Sequence, residues 1–245
     1  TPTFHGTLIN SDFGRKYPEV VIAFLRASIE ADRLMASDPE KYSELIEKVT
    51  GIEAPVSYLF HGPQGLQTRG HAFLPAYRQA LQTAIDTLRL LRRTDTTLDA
   101  IALIDDSYIR AAYRQSGLNY DAALKATGGE PFKGRDAVTG KPITDTRHLA
   151  GIWVKGEAKV RHYASVNEAV GDLARIEKAG KTARALYVHD LIHHIKLLGS
   201  LAWYAVDAKG EVSAFLQKDA AVAYAAANKG RVVDFNGLRQ SLAGK

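Results

Sequence analysis

Between Arg184 and Leu238 the chain reads Arg184-Ala-Leu-Tyr187-Val-His-Asp190, then Trp203-Tyr-Ala-Val206, then Phe215-Leu-Gln-Lys-Asp-Ala-Ala-Val-Ala-Tyr-Ala-Ala-Ala-Asn-Lys-Gly-Arg-Val-Val-Asp-Phe-Asn-Gly-Leu238. Alternation predicts a strand over 184–188, and the β-branched and aromatic residues of 201–206 predict another. Asp207-Ala-Lys-Gly210 is turn chemistry, so 212–215 pairs back on 201–206. The Ala-rich run 218–228 predicts a helix that stops at Gly230, with a last strand at 231–235. Strands and helices joined by short turns point to an antiparallel α+β layer rather than a repeating βαβ sheet.

Upstream the same pattern continues. Residues 151–154 and 158–163 read as strands, and 166–179 as a helix capped by Ser165 or Asn167. Gly128-Gly129, Pro131, Gly134, Gly140 and Pro142 crowd the interval before them, which makes 117–146 the expected linker between a domain at 1–116 and one at 147–245. The earlier part is helical by its signals. Pro18 opens a predicted helix over 18–36, with Val20, Val21, Phe24, Leu25, Ser28 and Ile29 forming its apolar stripe. Asp38 as N-cap, Pro39 and Glu40 start the next helix, which Gly51 ends. Residues 52–70 read as loop with short helical turns, 77–93 as a long surface helix, and 4–9 as a short strand.

The chain has 245 residues, 46% hydrophobic and 24% charged, so it is globular rather than disordered. It has no cysteine, which excludes disulfides and thiolate metal sites. No apolar run is long enough to span a bilayer. The net charge of +5 arises entirely in the last hundred residues, where 15 Lys/Arg face 9 Asp/Glu; residues 1–146 hold 17 against 18. These cations are scattered singly, which describes a solvated surface and not a nucleic-acid footprint. Neither a G-x-x-x-x-G-K-[ST] loop nor a G-x-S-x-G elbow is present. The neighbours Asp105 and Asp106 point about 100° apart on a helix and cannot flank one bond. A non-enzymatic role is therefore expected.

The passages quoted from 185–238 resemble the NosL copper-chaperone family, with Tyr224 at a position that family gives to phenylalanine. The resemblance implies a small antiparallel α+β domain. In that family the copper ligands come from a Cys-Gly-Met phrase, and the matching phrase here is Ala150-Gly151-Ile152, which has no sulfur. Cu(I) prefers soft sulfur, and the chain's one methionine is Met35. Imidazole remains: His189, His193 and His194, with His148 and His162 in the same domain. His189 and His193 are the metal candidates, for Cu, Ni or Zn, and would share a face if 189–194 were helical; the strand pattern instead places His189 at a strand end and His193 in the following turn.

The runs Tyr17-Pro-Glu-Val-Val-Ile-Ala-Phe-Leu-Arg-Ala27 and Ser37-Asp-Pro-Glu-Lys-Tyr42, with the Leu98–Tyr113 segment, resemble the periplasmic substrate-binding proteins of nitrate, sulfonate, taurine and pyrimidine-precursor ABC importers. The resemblance covers 1–116. It implies the mainly helical C-terminal part of a type II periplasmic-binding-protein fold, a periplasmic or extracytoplasmic location with the export signal upstream, and delivery of a small polar or anionic solute to an ABC permease in the membrane. His5, Thr7, Tyr58 and His61 are its ligand-binding candidates. No resident cofactor is expected, and surfaces meant for an absent lobe predict homo-oligomers. The rival expectation is a metal-binding or interaction module in which the NosL-like domain carries the function; an enzyme without a visible motif is a third.

Overall fold

A computed structural model describes residues 6–67, 70–95, 97, 99–100, 102–125 and 131–243. The fold is α+β, with about 49% of the described residues helical and 15% in strands. Its chain forms two compact units, one from residues 1–33 and 69–128, the other from 34–68 and 129–245.

Among the described residues, the regular elements of the first unit are all helices. Helix α1 is Ser11–Lys16, N-capped by Asn10, whose side chain accepts from the amides of Asp12 and Phe13. Helix α2, Pro18–Ser37, starts in this unit. Ile22, Leu25 and Ile29 of α2 pack with Ile109, Ala112, Tyr113 and Tyr120, although Val20 and Phe24 are 49% and 55% exposed. The expected stripe was thus drawn too wide: Val21, Leu25 and Ile29 recur at i, i+4, and Val20 and Phe24 lie one position, or 100°, earlier. The expected strand over 4–9 is absent from its described part, which is irregular; Phe4 and His5 lie outside the described residues.

Two helices follow that belong to the second unit. Helix α3 is Pro39–Thr50, with Asp38 accepting from the Lys41 amide and Gly51 closing it at φ 78°. That left-handed conformation costs glycine little and leaves a sharp corner. Helix α4 is Ala54–His61. The first unit resumes with α5, Pro75–Leu90, α6, Ser107–Gln115, and α7, Tyr120–Lys125. Arg110 of α6 bonds Asp106 and Asp121 and lies 4.5 Å from the Tyr120 ring, joining α6 to α7.

The second unit is built on a four-stranded antiparallel sheet. A hairpin of β1, Gly134–Arg135, and β2, Pro142–Ile143, precedes it. Strands β3, Ala150–Val154, and β4, Arg161–Tyr163, are followed by helix α8, Val166–Lys178, which Ser165 caps. Strands β5, Ala183–His189, and β6, Lys196–Leu198, complete the sheet in the order β4-β3-β5-β6. Strands β7, Trp203–Val206, and β8, Val212–Phe215, helix α9, Lys218–Ala227, and strand β9, Arg231–Val233, form a second sheet, β8-β7-β9, before helix α10, Phe235–Ala243.

The period of two divides the first sheet into unlike faces. Ala150, Ile152, Val154, Tyr163, Val188 and Leu197 face α8, the second sheet and Leu238 of α10 in the main core. The opposite face carries Trp153, Val160 and Tyr187, and it is covered by Ala54 and Tyr58 of α4. This packing places 34–68 with the expected domain at 147–245 instead of with 1–116. The expected linker also divides: α7 joins the first unit, and the β1–β2 hairpin joins the second. Asp136, 2% exposed, explains the hairpin, because its carboxylate accepts from Val138, Thr139 and Ala164 and so ties the turn to β4. Strand β6 and helix α10 went unread in the sequence; the last strand ends at Val233, and Asp234 then accepts from Gly237 to start α10.

Candidate functional site

The face beneath α4 is unusual for what it buries. Register sets His162 of β4, Gly151 of β3, Tyr187 of β5 and Leu198 of β6 side by side, and one step along it pairs His189 with Lys196. His189 and Lys196 are each 3% exposed. Directly paired residues hold their side chains about 5 Å apart at Cβ, so an imidazole and an ammonium stand together in the interior.

Each group has an identifiable support. His189 Nδ1 lies 2.8 Å from the carbonyl oxygen of Leu149. A carbonyl only accepts, so Nδ1 carries the hydrogen and the neutral ring presents its lone pair at Nε2. That nitrogen is buried and makes no hydrogen bond of good geometry, with the Gln64 carbonyl acting on the ring only weakly. Burial pushes the His189 pKa down to about 4; the Leu149 carbonyl, and to a lesser degree that of Gln64, oppose the shift, while the Lys196 charge adds to it. His162 is likewise held near 4 by burial, by Lys196 and by His189. Phe132 meets the His162 ring edge-on at 5.0 Å. Both imidazoles are therefore neutral at pH 7, with no proton to displace from the lone pairs.

Aromatic rings surround the ammonium. Lys196 Nζ lies 4.4 Å from the centroid of the Tyr58 ring and 5.4 Å from that of Tyr187. Tyr58 also tilts against Trp153 at 5.5 Å and Tyr187 at 5.2 Å, and the Tyr187 hydroxyl donates to the Pro55 carbonyl at 3.0 Å. Gly62 follows α4 closely: a Cβ there would meet the Tyr58 carbonyl oxygen at 2.6 Å and its ring at 2.9 Å. A cavity of about 10 Å³ remains between Tyr58, Gly151, His162, Tyr187, His189 and Lys196. That is about the space one water occupies.

The sequence candidates divide on this geometry. His189 lines the cavity. His193 does not: it sits in the turn after β5, its side chain half exposed, with its Nδ1 2.8 Å from Asp190. The expected His189–His193 pair is therefore not assembled, because the strand ends at His189 and Asp190 turns the chain away. Asp190 is 1% exposed and accepts from the amides of Ile192, His193 and Leu216, fastening the turn to the end of β8. Tyr58 is buried against the sheet, His61 ends α4 beside Phe60, and Thr7 is exposed in the irregular segment before α1. His5 lies outside the described residues. His162 and Lys196 carry the site with His189; the pairing of 151 with 162 needed a register that sequence does not supply, and Lys196 lay in an unread strand.

Among the described residues no cluster of three or more His, Cys, Asp or Glu side chains could hold a metal ion. A groove of about 380 Å³ between α8 and α10 is larger, but it is lined by Val170, Leu173 and Ala174 with the Glu177–Arg239 ion pair across it, and no imidazole reaches it. Among solved structures the chain is similar to the copper chaperone NosL from Shewanella denitrificans, with a TM-score of 0.39 and 21% sequence identity over 45% of this chain and 93% of that one. No family model and no curated protein matches the chain.

Proposed function

We propose that the protein is a non-catalytic binding protein whose centre is the cavity beneath α4, and that this centre takes one soft monovalent metal ion, Cu(I), through His162 and His189. The observation that carries the reading is the His189 Nε2 lone pair, buried without a hydrogen bond of good geometry and fixed in that tautomer by the Leu149 carbonyl. A buried polar atom without a partner destabilises the fold unless something else meets it. A metal-ligating histidine is oriented in this way, through a hydrogen bond from its other ring nitrogen.

Donor number and charge select the ion. Zinc seeks four ligands, whereas a d¹⁰ monovalent ion is satisfied by two in line. Sulfur ligation does not fit, since Ala150 and Gly151 line the cavity. The nearby Lys196 charge opposes any cation, and it opposes a dication twice as strongly as a monocation. The ABC-receptor reading has no support from the comparisons, and two of its candidates, Tyr58 and His61, lie in the segment that folds onto the sheet.

Titration of the full chain with Ag(I), a redox-inert stand-in for Cu(I), tests the reading. One equivalent is expected to bind and to perturb the imidazole resonances of His162 and His189, with binding lost in His189→Gln and His162→Gln. Retained stoichiometry in both variants, or perturbation confined to His193 and His194, would exclude this site.

A further inference from the structure

We propose that α3 and α4 form a hinged cover over the His162–His189 cavity, and that lifting of this cover limits entry of the ligand. The inference rests on the binding reading above only for what enters; the cover itself is a property of the fold. Three observations carry it.

Polar contacts clamp the cover at its edges, beside the apolar packing of Ala54 and Tyr58 on the sheet. Lys159 Nζ lies 2.7 Å from Asp38 and 3.2 Å from Glu40, and Glu40 also accepts from the Val160 amide at 3.1 Å. Arg184 bonds Glu44 at 3.1 Å and Glu47 at 2.7 Å. These pairs are partly exposed, so salt weakens them.

The closed arrangement is also imperfectly satisfied. Ser43 and Ser57, one on each cover helix, have buried hydroxyls without partners, as does His189 Nε2 below. Each such group favours a state in which water reaches it. A cover that served stability alone would be expected to satisfy or replace them.

Finally, the cover closes the way in. Tyr58 and Pro63 complete the wall of a cavity that has room for about one water. The cover begins at the break between α2 and α3 and is left through Gly62 and Gly65. Such element-terminal positions absorb the backbone rotation of a hinge.

Trp153 reports the motion without any ligand. It is 1% exposed and lies under Tyr58, and Trp203→Phe leaves it the sole tryptophan of the chain. In that background Lys159→Gln with Glu44→Gln and Glu47→Gln removes the ion pairs of both edges while keeping Arg184, which lies 4.9 Å from the Trp153 ring. Acrylamide quenching of Trp153 is expected to rise at least threefold in the variant, and in the parent at 0.5 M salt, with circular dichroism showing both still folded. The rate of Ag(I) binding, saturating with concentration in the parent, should rise by a similar factor. Unchanged quenching and an unchanged rate would overturn the cover. Raised quenching with no Ag(I) binding would support the cover and overturn the metal reading, so the two failures are told apart.

Discussion

Lys196 stands across the strand pair from His189 in direct register, and its ammonium lies 4.4 Å from the centre of the Tyr58 ring. Lys196 thus touches both the sheet that carries the two imidazoles and the helix that covers it. Its field is one cause of the low pKa values of His162 and His189. The arrangement keeps two imidazoles unprotonated at neutral pH and makes the cavity less welcoming to dications.

Replacing that charge tests its role. In metal-free Lys196→Met, a change of similar length without the ammonium, the pKa values of His162 and His189 should both rise from about 4 toward the ordinary 6.5. Burial persists, so neither should reach it. Imidazole proton shifts followed against pH measure this, and an unaltered titration of both rings would show that burial alone sets them.

The same depressed values give stability a pH dependence of definite sign. Between pH 6.5 and 4 the unfolded chain protonates these histidines while the folded chain does not, so the unfolded state binds more protons and stability falls as pH falls. With each value near 4, the loss is on the order of 3 kcal/mol per ring. Glu157, held to about 2 by Arg161 and Lys181, contributes in a lower window: its stabilisation is present above about pH 4.3 and disappears as pH falls through its folded value. Urea midpoints from pH 7 to 4 should therefore slope downward in the wild type and slope less in His189→Gln.

Asp190 should matter for stability rather than for binding. Burial raises its pKa, but the amides of Leu216 and His193 and the His193 ring outweigh burial and leave it lowered. Asp190→Asn removes the charge from a buried acceptor of several hydrogen bonds and should cost about 2–3 kcal/mol. Its contribution in the wild type is present above the unfolded value near pH 3.9 and is lost as pH falls through the lower folded value. Urea denaturation at pH 7 should show the deficit, with Ag(I) stoichiometry unchanged.

What could be read from sequence, and what could not, follows from the range of each interaction. The caps at Asp38, Gly51 and Ser165 act within one turn, so residues a few positions apart declare them, and the structure has all three. Alternation in 184–188 marked β5 for the same reason. The site depends on contacts between distant residues: His162 reaches the cavity through its pairing with Gly151, and Tyr58 reaches it across some 130 positions of chain, as does the Pro55 carbonyl that Tyr187 finds. No local signal specifies those pairings. The three-residue strand β6 was too short to show a period, which is why Lys196 escaped notice and His193, conspicuous beside His194, did not.

Two aromatics of the early helices differ sharply in what they bury. Tyr58 is 1% exposed and fills the space between Trp153, Tyr187 and Lys196, whereas Phe24, counted from sequence in an apolar stripe, is 55% exposed. Truncating a buried aromatic removes its transfer free energy and leaves a cavity. Tyr58→Ala should therefore destabilise the fold by about 3–5 kcal/mol and open Trp153 to quenching. Phe24→Ser, which removes a ring already in solvent, should stay within about 0.5 kcal/mol of the wild type. Denaturant midpoints decide between them: equal costs would mean that the face of α2 bearing Phe24 is covered in solution, and a small cost for Tyr58→Ala would mean that α4 does not hold the sheet as described.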